Sequence, residues 1–186
     1  MPVSYRKPPK MLEDGVVAYL DIFRLNGGAF YGALLVLDGR GLPLEFIHNR
    51  GEPPSGLLWT EPDTSRQAIS ALAHSLFDAA RRDPDLLLCL PELGSAEFCR
   101  AEIAPASPFA QAQPASESLP AGVVWVNSPP TDGMRGHALY QDLLRRDALF
   151  EPFSRLRLGL RETYPDAPWM IETTEKEGAR VEIFTE

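Results

Sequence analysis

Asp21 stands inside an apolar, β-branched run, Val16-Val17-Ala18-Tyr19-Leu20-Asp21-Ile22-Phe23-Arg24-Leu25. Side chains in a strand alternate with a period of two, so Asp21 shares a face with Val17, Tyr19, Phe23 and Leu25. An ionised carboxylate on such a face is costly unless a cation or hydrogen-bond donors meet it. It therefore reads either as a metal ligand or as a structural carboxylate, at a sheet edge or satisfied by Arg24 or a backbone donor. Glu92, directly after Pro91, is a second ligand if Asp21 lies beside it and a solvated loop carboxylate otherwise.

The other reactive side chains form no recognisable constellation. His48, His74 and His137 lack H-x-x-x-H or H-E-x-x-H spacing. His74 falls on a polar helix face, and His48 and His137 mark element boundaries. No G-x-S-x-G elbow exists. Cys89 and Cys99 fit neither a disulfide framework nor a zinc site. Gly27-Gly28 and Gly39-x-Gly41 join strands rather than open a helix, so turn chemistry accounts for them. Arg145, Arg146, Arg155, Arg157 and Arg161 interleave with Phe150 and Phe153 in a set that could contact phosphates or a partner. Asp142, Asp147, Glu151 and Glu162 lie among them, which is equally the pattern of a solvated, salt-bridged face. Trp59, in Gly56-Leu57-Leu58-Trp59, could anchor a partner or pack its loop back on the sheet.

These residues must be positioned by an α/β (α+β) fold. The run from Val16 ends at Asn26-Gly27, a hairpin dipeptide that tolerates positive φ. A second strand spans Ala29 to Leu37, Asp38-Gly39-Arg40-Gly41 turns the chain, and a third runs from Leu42 to His48. Pro43 cannot donate to a ladder, so that strand starts at Pro43 or lies on an edge. The three make an antiparallel meander. Thr64-Ser65-Arg66-Gln67 has capping-box spacing and predicts a helix start. Ile69, Leu72, Ala73, Leu76, Phe77 and Ala80 then fall on one face, and Asp83-Pro84 ends the helix. Leu86 to Leu90 is a continuously apolar run, as in a strand of a parallel sheet covered on both faces. Val123 to Val126 reads as a fifth strand. Helices follow from about Gly136, with Leu139, Tyr140, Leu143 and Leu144 on one face, and from about Phe150 to Thr163, with Phe153, Leu156, Leu158 and Leu160; Pro152 separates them. Trp169 to Thr174 and Arg180 to Thr185 predict a C-terminal β-hairpin.

Three meandering strands, a helix, a buried strand and further α/β elements form an order that resembles the ribonuclease H-like superfamily over roughly residues 16 to 144. The resemblance implies a mixed sheet whose fourth strand lies parallel to the first at its centre. It also implies divalent metals on carboxylates from the first strand, the end of the fourth and a later helix or loop. Matched by position these are Asp21, Glu92 and Asp132 or Asp142, with His137 nearby. Two Mg²⁺ or Mn²⁺ ions about 4 Å apart would need those oxygens to converge on one sheet edge. The sequence departs from the pattern where Ile22-Phe23 follows Asp21 and where the first helix offers no glutamate.

Residues 1–15 read as an irregular, proline-containing arm and 16–186 as a single α/β domain, with a Pro/Ala/Ser-rich insertion or linker at 104–121. The net charge of −8, with 18 basic against 26 acidic residues, disfavours duplex nucleic acid as a stand-alone partner. There is no long apolar run and no h-region behind the basic start, which predicts a soluble, cytoplasmic protein without membrane contact. The first expectation is a non-catalytic accessory or adaptor subunit that contacts other proteins and needs no cofactor. The alternative is a metal-dependent ribonuclease H-like nuclease or phosphodiesterase using Mg or Mn.

Overall fold

A computed structural model describes residues 12–25, 28–52, 60–89, 124–125 and 135–169. Strands β1 (Val16–Arg24), β2 (Phe30–Asp38) and β3 (Pro43–Gly51) form the expected antiparallel meander. Helix α1 (Glu61–Ala79) leads into β4 (Leu86–Cys89), which pairs in parallel with β1 from Val17↔Leu86 to Leu20↔Cys89. The two-residue β5 (Val124–Trp125) adds antiparallel to β4, giving the order β3-β2-β1-β4-β5. Helices α2 (Arg135–Arg145) and α3 (Glu151–Thr163) complete the fold. The mixed sheet with its parallel fourth strand is the α+β architecture expected.

Alternation along β1 and β2 sorts the core into two layers. Ala18, Leu20, Ile22, Leu34 and Val36 face α1, where Ala68, Leu72, Ala73 and Leu76 are buried against them. Val17, Tyr19, Ala33, Leu35 and Leu37 face α2 and α3, meeting Leu139, Leu143, Phe153, Leu156 and Leu160. All four residues of β4 are buried, as a strand covered on both faces requires. Leu12, 2% exposed, belongs to the second layer, so the core reaches into the segment read as an irregular arm.

Local chemistry explains the boundaries, including three that differ from expectation. At the β2–β3 turn, Asp38 Oδ1 accepts from the backbone N–H groups of Arg40 and Leu42 at 2.9 and 2.8 Å, and Gly41 takes φ 87°. Positive φ in the β1–β2 turn falls on Gly28 (88°), while Asn26-Gly27 lies outside the described residues. Pro43 opens β3, which is also an edge strand of the sheet among the described residues. Helix α1 begins at Glu61, not at the predicted box: Thr60 is the N-cap and accepts from Asp63 N–H, Pro62 fits the first turn, and Thr64 instead donates to Thr60 O at 3.0 Å. It ends at Ala79, ahead of Asp83-Pro84. In α3, Pro152 lies in the first turn, where no N–H is needed, and Phe153, Leu156 and Leu160 form the buried stripe. Leu158 lies on the other side of the helix and is 57% exposed, which is why the four apolar residues of this stretch do not fall on one regular face. The insertion at 104–121 and the hairpin strands beyond Trp169 lie outside the described residues; Trp169 itself is not in a strand.

Candidate functional site

Asp21 is 1% exposed on the α2/α3 face, opposite Ala33 of β2. Its partner comes from α3: Arg157 Nε donates to Asp21 Oδ2 at 3.2 Å, and the guanidinium lies 5.3 Å from the centre of the Phe23 ring. Arg24, the partner considered from sequence, points to the other face by alternation. There it pairs with Glu61 at 3.0 Å and lies over Phe30. Because α1 starts three residues before the predicted box, it does carry a glutamate, and that glutamate is held by Arg24 at the end of β1. Beyond Asp21 the same face carries rings: Tyr31 meets Tyr164 at 5.1 Å and Trp169 at 5.6 Å, and His48 Nδ1 lies 3.1 Å from the Tyr164 hydroxyl. Burial raises the Tyr164 hydroxyl pKa, with Tyr31 adding to the shift and Arg50 opposing it.

Asp142, 5% exposed on α2, belongs to a different place. Arg146 Nε lies 2.9 Å from its Oδ2 as a charge contact without hydrogen-bond alignment, and Arg145 lies 3.6 Å from Oδ1. Arg146 also donates to Gly39 O at 3.0 Å. Gly39 follows Asp38, which pairs with Val16. Asp21 is five residues further along β1, about 16 Å at the usual strand rise. The structure therefore gives the two carboxylates separate arginine partners rather than a common point. His137, on α2, lies 3.4 Å from Gln141 Nε2. Glu92, Asp132 and Trp59 lie outside the described residues. Among the described residues no three His, Cys, Asp or Glu side chains gather as a metal site.

What the described residues do enclose is a cavity of about 370 Å³ between the β2–β3 turn and the α2–α3 corner. Val17, Tyr19 and Leu37 supply its sheet side, and Arg40, Arg146 and Arg155 reach it from the turn and helices. The turn carbonyls fix two of these arginines, Gly39 O holding Arg146 and Gly41 O accepting from Arg155 at 3.1 Å. Arg40 pairs with Asp38 at 3.4 Å and Arg155 with Glu151 at 2.9 Å, whereas Arg145 and Arg146 share Asp142. These pairings join four guanidiniums to three carboxylates. At the cavity the Tyr19 hydroxyl and Arg155 Nε are buried donors with no acceptor among the described residues, and Arg146 Nε has only its unaligned charge contact with Asp142. Tyr19 is fully buried, its ring edge-on to Phe153 at 5.1 Å. Burial pushes its hydroxyl well above the ordinary tyrosine range, with Arg155 and Arg146 acting the other way and Glu151 adding to the rise, so it is a proton donor.

Sequence reasoning grouped Arg145, Arg146 and Arg155 in one basic set able to contact phosphates but did not bring Tyr19 to them in one cavity. A tyrosine in an apolar strand reads as core, and only the turn's position beside α3 reveals the rest. Phe153, grouped with those arginines as a possible contact, is 3% exposed and belongs to the core, while Phe150 is 41% exposed. Among the described residues no helix is long and apolar enough to cross a membrane. Compared with known proteins, the chain matches no family model and no curated sequence.

Proposed function

We propose that the chain is a non-catalytic accessory or adaptor module with a ribonuclease H-like order of elements, acting through contacts with other proteins. The observation that carries this reading is the Arg157–Asp21 contact. The carboxylate that a metal-dependent nuclease would present from its first strand is occupied by a fixed guanidinium at 3.2 Å. A divalent ion placed there would meet that positive charge in a poorly solvated setting, where like-charge repulsion is strong. A second support is the outer edge of β3, which pairs with no other strand among the described residues. Leu42 and Phe46 are 55% and 37% exposed there, and Gly159 of α3 lies against the Phe46 ring next to exposed Leu158. Apolar side chains beside a strand edge that no described strand covers suit a protein partner.

Calorimetric titration with Mn²⁺ of the protein and of Asp21→Asn tests the reading. No saturable binding at millimolar metal is expected for either. Saturable binding that Asp21→Asn abolishes would overturn it in favour of the nuclease. A photo-crosslinking residue at position 158, with position 78 on the opposite layer as control, tests the contact surface. Protein adducts formed at 158 and not at 78 are expected; equal labelling would remove the case for that edge.

A further inference from the structure

We infer that the cavity between the β2–β3 turn and the α2–α3 corner binds the oxyanion head, phosphate or carboxylate, of a small organic anion with an apolar body. The inference goes beyond the adaptor reading and is independent of Asp21. Its first support is hydrogen-bond chemistry. A buried hydroxyl or guanidinium N–H without an acceptor costs on the order of 1–3 kcal/mol, so native proteins seldom leave one. Here Tyr19 Oη and Arg155 Nε both lack one. They converge on the same cavity, and Arg155 and Arg146 are close enough to act electrostatically on the Tyr19 hydroxyl. Both missing partners are acceptors, which an oxyanion supplies and a cation does not.

Charge points the same way. Asp142 serves both Arg145 and Arg146. An anion entering the cavity would meet that pair of guanidiniums with one carboxylate between them. Arg146 and Arg155 are already held by the carbonyls of Gly39 and Gly41, so little side-chain freedom is lost when they meet a ligand. Asp38 and Glu151 also line the cavity, held by Arg40 and Arg155, and Val17, Leu37, Leu143, Ala148 and Pro152 supply an apolar wall that suits a carbon skeleton rather than a bare ion. A volume of about 370 Å³ lies at the small end of ligand pockets and fits a compact metabolite.

The test uses the full chain, labelled with ¹⁵N, titrated separately with phenyl phosphate, benzoate and inorganic phosphate. Arginine Nε–Hε signals and the amides of Gly39, Arg40 and Gly41 are followed. At least one aromatic anion should give saturable shifts at those signals. Tyr19→Phe should weaken it by about 10- to 150-fold, the scale of one hydrogen bond to a charged group. Arg155→Gln should weaken it by about tenfold or more. Tyr19→Phe without ligand should melt no lower than the parent, since the change removes an unpaired buried hydroxyl; its weaker binding then cannot come from unfolding. If Arg155→Gln does not fold, Arg145→Gln replaces it, at a side chain 67% exposed. Response to phenyl phosphate alone assigns a phosphate head, and response to benzoate alone a carboxylate. Inorganic phosphate binding as tightly as phenyl phosphate would overturn the apolar body. Absence of saturable shifts up to about 20 mM of all three probes, far weaker than metabolite affinities, would overturn the proposal. So would binding unchanged in both variants.

Discussion

Arg157 reaches Asp21 from 136 residues further along the chain and turns a strand carboxylate into one half of an ion pair. Removing one partner of such a pair costs more than removing both, because the remaining charge stays buried. Arg157→Met should therefore lower stability by about 2–3 kcal/mol, and the Asp21→Leu, Arg157→Met double variant should recover most of that loss. Urea unfolding checks both; a double variant as unstable as the single one would mean that the pair is not the main partner of Asp21. Half of this was legible in the sequence. Strand alternation puts Asp21 on an apolar face and demands a partner, and the same alternation already excludes Arg24, three residues on and therefore on the other side. Arg157 was visible only as one member of an arginine-rich stretch, since nothing local aims it at β1. The tyrosines give a second residue-scale prediction. Burial raises the Tyr19, Tyr140 and Tyr164 hydroxyls above the unfolded value near 10. Above pH 10 the unfolded chain gives up protons that the folded chain keeps, so stability falls as pH rises, by at most about 1.4 kcal/mol per pH unit for each tyrosine. Below pH 9 the three contribute no slope. Denaturant midpoints between pH 8 and 11 should show the fall, and Tyr19→Phe should make it shallower.

At the scale of elements, the turns and caps decide where chain pieces meet. The meander and the buried fourth strand were legible because glycine turns and a wholly apolar run are local signals. The start of α1 was less so: Thr60 and Thr64 are both threonines ahead of acceptable helix residues, and either could cap. Pro62 resolves the choice, since its fixed φ belongs in a first turn and its missing N–H is harmless there. Thr60→Ala should cost about 1 kcal/mol and Thr64→Ala less than half of that, measured by denaturant unfolding. The reverse order would restore Thr64 as the cap. Gly39 shows a constraint no local rule supplies. A Cβ built on Gly39 meets the carbonyl oxygen of Leu12, so the turn must stay bare for the residue that opens the second core layer to pass over it. Gly39→Ala should destabilise by about 1–3 kcal/mol, the range for forced overpacking. Gly41 has φ 87° but open space around it, so alanine there costs backbone strain alone.

At the scale of the whole molecule, both core layers are built on the same two strands, with alternate residues of β1 and β2 facing α1 or the pair α2 and α3. Neither layer can be lost without unpinning side chains that order the strands for the other, which predicts a single cooperative unfolding transition. Leu76 of α1 and Leu156 of α3 are each fully buried in opposite layers, so they probe this directly. Leu76→Ala and Leu156→Ala should each cost about 2–5 kcal/mol, the range for a leucine deleted from a packed core. Each should lower one common midpoint, with far-UV circular dichroism and tryptophan fluorescence superimposing throughout. The sites share no partner, so their costs should add in the double variant to within about 0.5 kcal/mol where it still folds. Two separated transitions, with Leu76→Ala shifting one and Leu156→Ala the other, would mean that the layers are independent units. The Asp21–Arg157 pair and the arginine-lined cavity would then belong to the α2/α3 unit alone, and Leu76→Ala should leave anion binding unchanged at temperatures where the α1 layer has already melted.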